Sequence, residues 1–147
     1  MNFDFETVRC MSTGAVPFAE RAGVDLVEFE RGRVKMKIPF QGNQNHIGIM
    51  YAGALFTLAE IPGGALFLTS FDVERFYPIV KSLNLRFLRP ATGDIRVEAR
   101  LGEATRTQLQ RDAETTGKAE FTLELQLLDD NAAVVAESVG IYQLRRR

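Results

Sequence analysis

Between Ile47 and Phe71 the chain reads IGIMYAGALFTLAEIPGGALFLTSF, and Glu60 is its only charged residue. A stretch this apolar must be withdrawn from water, in a protein core or in a bilayer, because its exposure forfeits roughly 25 cal/mol per Å² of apolar surface. By length alone it could cross a bilayer, for which about 20 apolar residues suffice. Glu60, Pro62 and several glycines interrupt it, however, and no second run of this kind accompanies it. The reading is a buried core helix. A carboxylate inside such a helix is costly unless it is paired: it takes up a proton at raised pKa or destabilises the fold. Catalytic carboxylates are often held in settings of this kind, which makes Glu60 the first candidate for function.

The sequence on either side is patterned for a sheet. Val34, Met36, Ile38 and Phe40 alternate with Arg33, Lys35, Lys37 and Pro39, and Val24 to Glu30 forms the hairpin partner across Arg31-Gly32. Leu83, Leu85 and Phe87 alternate with Ser82, Asn84 and Arg86, and Ile95, Val97, Ala99 and Leu101 alternate with Arg96, Glu98 and Arg100. Ala119 to Leu127 is a further strand, ended by the turn sequence Asp129-Asp130-Asn131, and Ala132 to Leu144 supplies the last. Half-polar alternation predicts an antiparallel sheet with one packed face. Phe5 to Ala22 has helical spacing broken near Gly14 and Pro17, and Thr105 to Thr116 predicts a short surface helix stopped at Gly117. The expected architecture is α+β: one antiparallel sheet wrapped around one apolar helix, so that each buries the other's apolar face.

At 147 residues, with 46% hydrophobic and 25% charged residues, the chain predicts a single domain spanning 1–147. A net charge of -1 gives no support for nucleic-acid binding. Arg145, Arg146 and Arg147 are expected to be a solvated tail. One cysteine, Cys10, excludes an internal disulfide and fits a reducing, cytoplasmic setting; beside Val8 and Met11 it reads as core filler. The N-terminus lacks the basic start and apolar block of a signal peptide. No cofactor is implied. His46 is the only histidine and, with a single cysteine, cannot build a metal site, and its place in the GNQNH segment predicts a surface loop. A Ser-His-Asp enzyme would have to use His46, and neither a nucleophile elbow nor a Gly-rich phosphate loop is present.

The element order and the residues Asn45-x-x-Gly48-x-x-Tyr51-Ala52-Gly53, followed by Leu58 and Glu60, resemble the hotdog-fold acyl-CoA thioesterase superfamily. Phenylacetate-type members carry Asn-x-x-Gly-x-x-His-Gly-Gly there, with Asp or Glu at the position of Glu60. Phe87-Leu88-Arg89-Pro90-Ala91-x-Gly93-Asp94 is similar to the family's strand end and turn. Tyr51 stands where His is usual, Ala52 where the first Gly is usual, and Val80 where many members have Ser or Thr. The Val80-Lys81 strand start and the polar Thr105 to Thr116 insert look more like a poorly characterised branch of the superfamily. The resemblance implies a hotdog fold, a homodimer or homotetramer with active sites between subunits, and an acyl-CoA or similar thioester as substrate.

The chemistry can be argued from the residues themselves. Thioester hydrolysis needs a nucleophile or an activated water, and donors for the oxyanion. Glu60 supplies the nucleophile or the base, and Asn45 the orientation of water or thioester. The N–H groups of Tyr51-Ala52-Gly53, at the expected helix start, supply the oxyanion site, with Ala52 as the main donor and Tyr51 donating or shaping the pocket. Gly63 and Gly64 leave room for substrate or for a partner helix. Glu60 lies some two turns along the same helix, on the order of 10–12 Å from those donors, so two antiparallel helices from two protomers would be needed. Arg86 and Arg89 are read either as contacts to a CoA phosphate or as the exposed face of a strand. The rival reading is a non-catalytic binder of acyl-CoA or another apolar ligand.

Overall fold

The computed structural model describes residues 2–147. Its elements run α1 (Phe5–Arg9), a π-helical turn (Cys10–Gly14), α2 (Pro17–Ala22), β1 (Asp25–Glu30), β2 (Arg33–Ile38), α3 (Ala52–Ser70), β3 (Phe76–Phe87), β4 (Ile95–Arg100), α4 (Glu103–Thr116), β5 (Lys118–Leu128) and β6 (Val134–Arg146). The six strands form one antiparallel sheet in the order β1-β2-β4-β5-β6-β3. The alternation along β2, β4 and β5 puts Val34, Met36, Ile38, Val97, Ala99, Leu123 and Leu127 on the face that α3 covers.

α3 is apolar on every side, as a helix enclosed by a core must be. It is long and apolar enough to span a bilayer, yet here it is the core helix: Leu55, Leu58, Ala59 and Leu66 are buried in one cluster with the sheet. Pro62 lies inside it and removes the N–H that would have met the Leu58 carbonyl. One side chain of the sheet reaches across to this stretch. The Tyr142 hydroxyl donates to the Glu60 carbonyl at 3.3 Å, and its ring stacks on Phe121 with centroids 5.6 Å apart. The ring lies against two glycines, Gly63 of α3 and Gly140 of β6, and a Cβ on either would collide with it.

The N-terminal helices and the chain end depart from the sequence reading. Val8 is buried as expected, but Cys10 and Met11 are exposed. The π-helical turn explains this: its wider winding shifts the phase of the pattern after Arg9, so α-helical spacing no longer identifies the inner face. Arg145 and Arg146 are not a solvated tail. They close β6, opposite Tyr77 and Phe76 of β3, and Arg146 Nη1 donates to the Glu114 carbonyl at 2.6 Å. Backbone pairing with β3 and β5 holds these arginines in the sheet. α4 starts two residues earlier than expected, at Glu103, and buries Leu109 and Ala113.

β3 is an edge strand twelve residues long, and its exposed residues include Val80 and Phe87, the latter read from the alternation as an inward position. A long free edge is a template for pairing with another chain.

The adjacent glycines of α3 give opposite expectations. Gly63→Ala forces a methyl into the Tyr142 ring, an overpacking cost of about 1–3 kcal/mol that outweighs the roughly 1 kcal/mol gained in helix propensity. A Cβ at Gly64 meets nothing within 4 Å, so Gly64→Ala raises stability by up to about 1 kcal/mol. Urea unfolding of the two variants checks the contrast.

Candidate active site

The loop before α3 is tied down by its own side chains. Asn43 Nδ2 donates to the carbonyls of Ala22 at 2.7 Å and Pro39 at 2.8 Å, and the Tyr51 N–H donates to the Asn43 carbonyl at 2.8 Å. Asn45 Oδ1 accepts from the N–H groups of Ile47 at 3.0 Å and Ile49 at 3.2 Å, so its carbonyl oxygen shapes the turn. Its amide nitrogen makes no hydrogen bond among the described residues. His46 is exposed in this loop.

These ties aim the start of α3. Tyr51 is the N-cap and offers no side-chain cap. The N–H groups of Ala52 and Gly53 take no acceptor among the described residues, and Ala52 is exposed. Tyr51 folds its ring over Gly53, where any Cβ would collide with it, and remains 57% exposed. The result is a helix N-terminus with uncapped donors under positive dipole potential, able to bind an oxyanion or another anionic oxygen.

Glu60 sits eight residues on, about 12 Å along the axis. Its carboxylate has no hydrogen-bond or ion-pair partner among the described residues, and burial alone holds its pKa above the ordinary 4.5. It faces a groove of about 390 Å³ whose walls include Val16, Phe18, Phe56 and Val80. The Tyr142 phenol, its pKa pushed up by burial and then by the nearby Glu60 carboxylate, stays protonated and keeps its hydrogen bond to the Glu60 carbonyl.

Two residues that sequence reasoning passed over line the same groove. The register of β3 against β6 jumps between Val80↔Tyr142 and Ser82↔Ile141, leaving Lys81 outside the ladder. Lys81 and Ser82 both border the groove that holds Glu60. A bulge re-aims side chains beside a site, and it has no signature in a single strand because it exists only in the pairing of two. Arg86 and Arg89 are exposed on β3 and the segment after it.

The structure therefore separates the candidate residues into two groups. Asn45, Tyr51, Ala52 and Gly53 gather at the N-terminus of α3, and Glu60 stands in its groove without them, since none of the four borders that groove. Within one chain the Glu60 carboxylate and the free N–H groups at the start of α3 lie too far apart to meet at one small group.

An antiparallel sheet around a long apolar helix is the hotdog fold, a class shared with structurally characterised thioesterases. The chain is 56% identical to PA5026 of Pseudomonas aeruginosa, a protein of unknown function described as a probable thioesterase, with 100% of this chain and 99% of that one covered and a TM-score of 0.95. Its fold is also that of thioesterase HI1161 of Haemophilus influenzae, at 13% identity, 99% and 93% coverage and a TM-score of 0.75. The same holds for thioesterase PA1618 of Pseudomonas aeruginosa, at 16% identity, 100% and 97% coverage and a TM-score of 0.77. No curated protein shows a significant match. The chain belongs to the family described as Domain of unknown function (DUF4442), whose sequence model matches residues 6–141.

The raised pKa of Glu60 makes stability depend on pH with a definite sign. The folded state holds the Glu60 proton more tightly than the unfolded chain, so this contribution is present in full below the unfolded pKa and is lost as pH rises through the folded one. Glu60→Gln removes the loss. Denaturation across pH 4 to 8 is expected to show the variant gaining stability over the parent as pH rises, with the gap closing toward pH 4; a gap independent of pH would reject the assignment.

Proposed function

We propose that this protein is an acyl-CoA thioesterase whose active site is assembled between two copies of the chain. The observation that carries the reading is the division of the site along α3: an unpaired, partly buried carboxylate at Glu60, and free N–H donors about two turns away at the same helix's start. Two antiparallel α3 helices bring Glu60 of one protomer to the Ala52 N–H of the partner subunit. The long free edge of β3 supports pairing with a second copy, as a homodimer or as a homotetramer built from it. The likeness to PA5026, described as a probable thioesterase, supports the reaction class. On this reading residues 1–147 act as one catalytic domain in the cytoplasm, without a cofactor.

In the mechanism the thioester carbonyl oxygen accepts hydrogen bonds from Ala52 and Gly53, which stabilise negative charge as it develops. Glu60 takes a proton from water, and the hydroxide attacks the carbonyl carbon. The tetrahedral intermediate collapses by breaking the C–S bond, and the thiolate takes up the proton held by Glu60, releasing carboxylic acid and free CoA. A burial-raised pKa makes Glu60 a stronger base than an exposed glutamate. Direct attack by Glu60, through a mixed anhydride that water then hydrolyses, uses the same geometry. The free amide of Asn45 orients the water or the thioester, and the Tyr51 hydroxyl donates at the mouth of the site.

Thiol release from short, long and aromatic acyl-CoAs tests this reading. Glu60→Gln is expected to lower turnover by about 10²–10⁴ while substrate still binds. Parental rates should climb with pH through an apparent pKa above 4.5, because the base acts only when ionised. Ala52→Pro deletes one donor at a first-turn position that accepts proline, and Tyr51, at φ -59 and ψ 137, already has the backbone that proline demands of its predecessor. Its expected loss is about 10²–10³ in kcat with the helix intact by circular dichroism. Acyl-CoA binding without turnover in the parent would favour the non-catalytic binder, with Tyr51 and Ala52 as the residues that mark lost chemistry.

A further inference from the structure

Glu60 borders a second cavity as well, of about 240 Å³, that extends from it toward the C-terminal half of α3. Its floor is one stripe of the helix, Glu60, Ile61, Gly64, Ala65, Phe67 and Leu68, at the i, i+4, i+8 spacing of a single face. Its roof is the π-helical turn, with Met11 and Ser12, together with Val16, and Pro78 of β3 stands at its side. Val16 and Ile61 also border the groove described above, so the two spaces adjoin at Glu60.

Three features define the occupant. First, Ser12, the polar side chain that borders this cavity besides Glu60, is already satisfied within its own helical segment: its Oγ donates to the Val8 carbonyl at 2.7 Å. Beyond Glu60 the space offers no free polar side chain to a ligand. Second, Gly64 opens the floor, since a Cβ there would meet nothing within 4 Å, whereas its neighbour Gly63 is filled by Tyr142. Third, the stripe has a length. From Glu60 to Leu68 α3 rises about 12 Å, and an extended chain covers roughly 1.2 Å per bond, as three backbone bonds span about 3.3–3.6 Å.

We infer that this cavity is the compartment for a linear, saturated acyl chain of about ten carbons, with Gly64 setting its depth and the π-helical turn forming its lid. The inference rests on the thioesterase reading for the head of the substrate, which sits at Glu60. The tail is recognised by shape and burial alone. Branched or aromatic acyl groups are disfavoured, because a helix stripe under a single helical turn admits one chain.

Calorimetric binding of decanoyl-CoA and butyryl-CoA to full-length Glu60→Gln tests the compartment without requiring turnover. Decanoyl-CoA is expected to bind at least tenfold more tightly than butyryl-CoA. Adding Gly64→Leu should reduce that ratio about tenfold, and Gly64→Ala should reduce it partly, with circular dichroism unchanged in both. A ratio retained in Gly64→Leu, or no preference for the longer chain, overturns the inference and leaves the stripe as a seam between copies. Thiol release by the parent is read on the same two thioesters. Turnover without chain preference overturns the compartment alone, whereas chain preference without turnover upholds the compartment and overturns the thioesterase reading.

Discussion

Everything in this molecule is arranged around the burial of α3. A helix apolar on all sides cannot rest on a sheet, which covers only one of its faces, so a second layer must shield the remainder. The sheet supplies the first cover through β2, β3, β4, β5 and β6. The N-terminal segment supplies part of the second, with α1, the π-helical turn and α2 all in contact with α3. What these layers leave incompletely covered is the line of Phe56, Glu60 and Gly64. The one charged side chain of the helix therefore lies where burial is incomplete, and that placement makes an ionisable residue tolerable in a core helix and useful there.

The same helix shows how a single residue step separates packing from binding space. Gly63 and Gly64 are chemically identical neighbours, but a rotation of about 100° points one at the Tyr142 ring and the other at an open cavity. Tyr142 links the two sides: its ring fits against Gly63 and Gly140, and its hydroxyl meets the carbonyl of Glu60. The backbone that presents the carboxylate is thus held by the sheet, beside a proline that has removed one rung of the helical ladder.

The two ends of the proposed chemistry are set by different physics. At the N-terminus of α3 the loop's hydrogen bonds, through Asn43 and Asn45, leave backbone donors uncapped and pointing outward. At Glu60 burial raises proton affinity. A helix is rigid, so no local motion brings the two together within one chain, and a second copy is the economical solution. The edge strand β3, twelve residues long and paired on one side only, is the seam proposed for it.

Much of this was legible in the chain itself. Hydrophobic alternation marks the strands because side-chain direction alternates with fixed geometry, whatever the fold, and an unbroken apolar run marks α3. Glu60 stands out because a charge in an apolar run is costly anywhere. The motif spacing placed the start of α3 at Tyr51-Ala52, where it is found. Other features depended on partners distant in sequence. Cys10 and Met11 turn outward because the helix widens to π geometry over α3; Arg145 and Arg146 join the sheet because β3 and β5 offer them backbone partners. Lys81 reaches the Glu60 groove only because β3 and β6 pair out of step, and Gly63 and Gly64 differ only in what faces them. Local sequence dictates periodicity and the cost of a buried charge, since both are properties of one segment. Register, phase and empty space are relations between segments, and only the tertiary structure decides them.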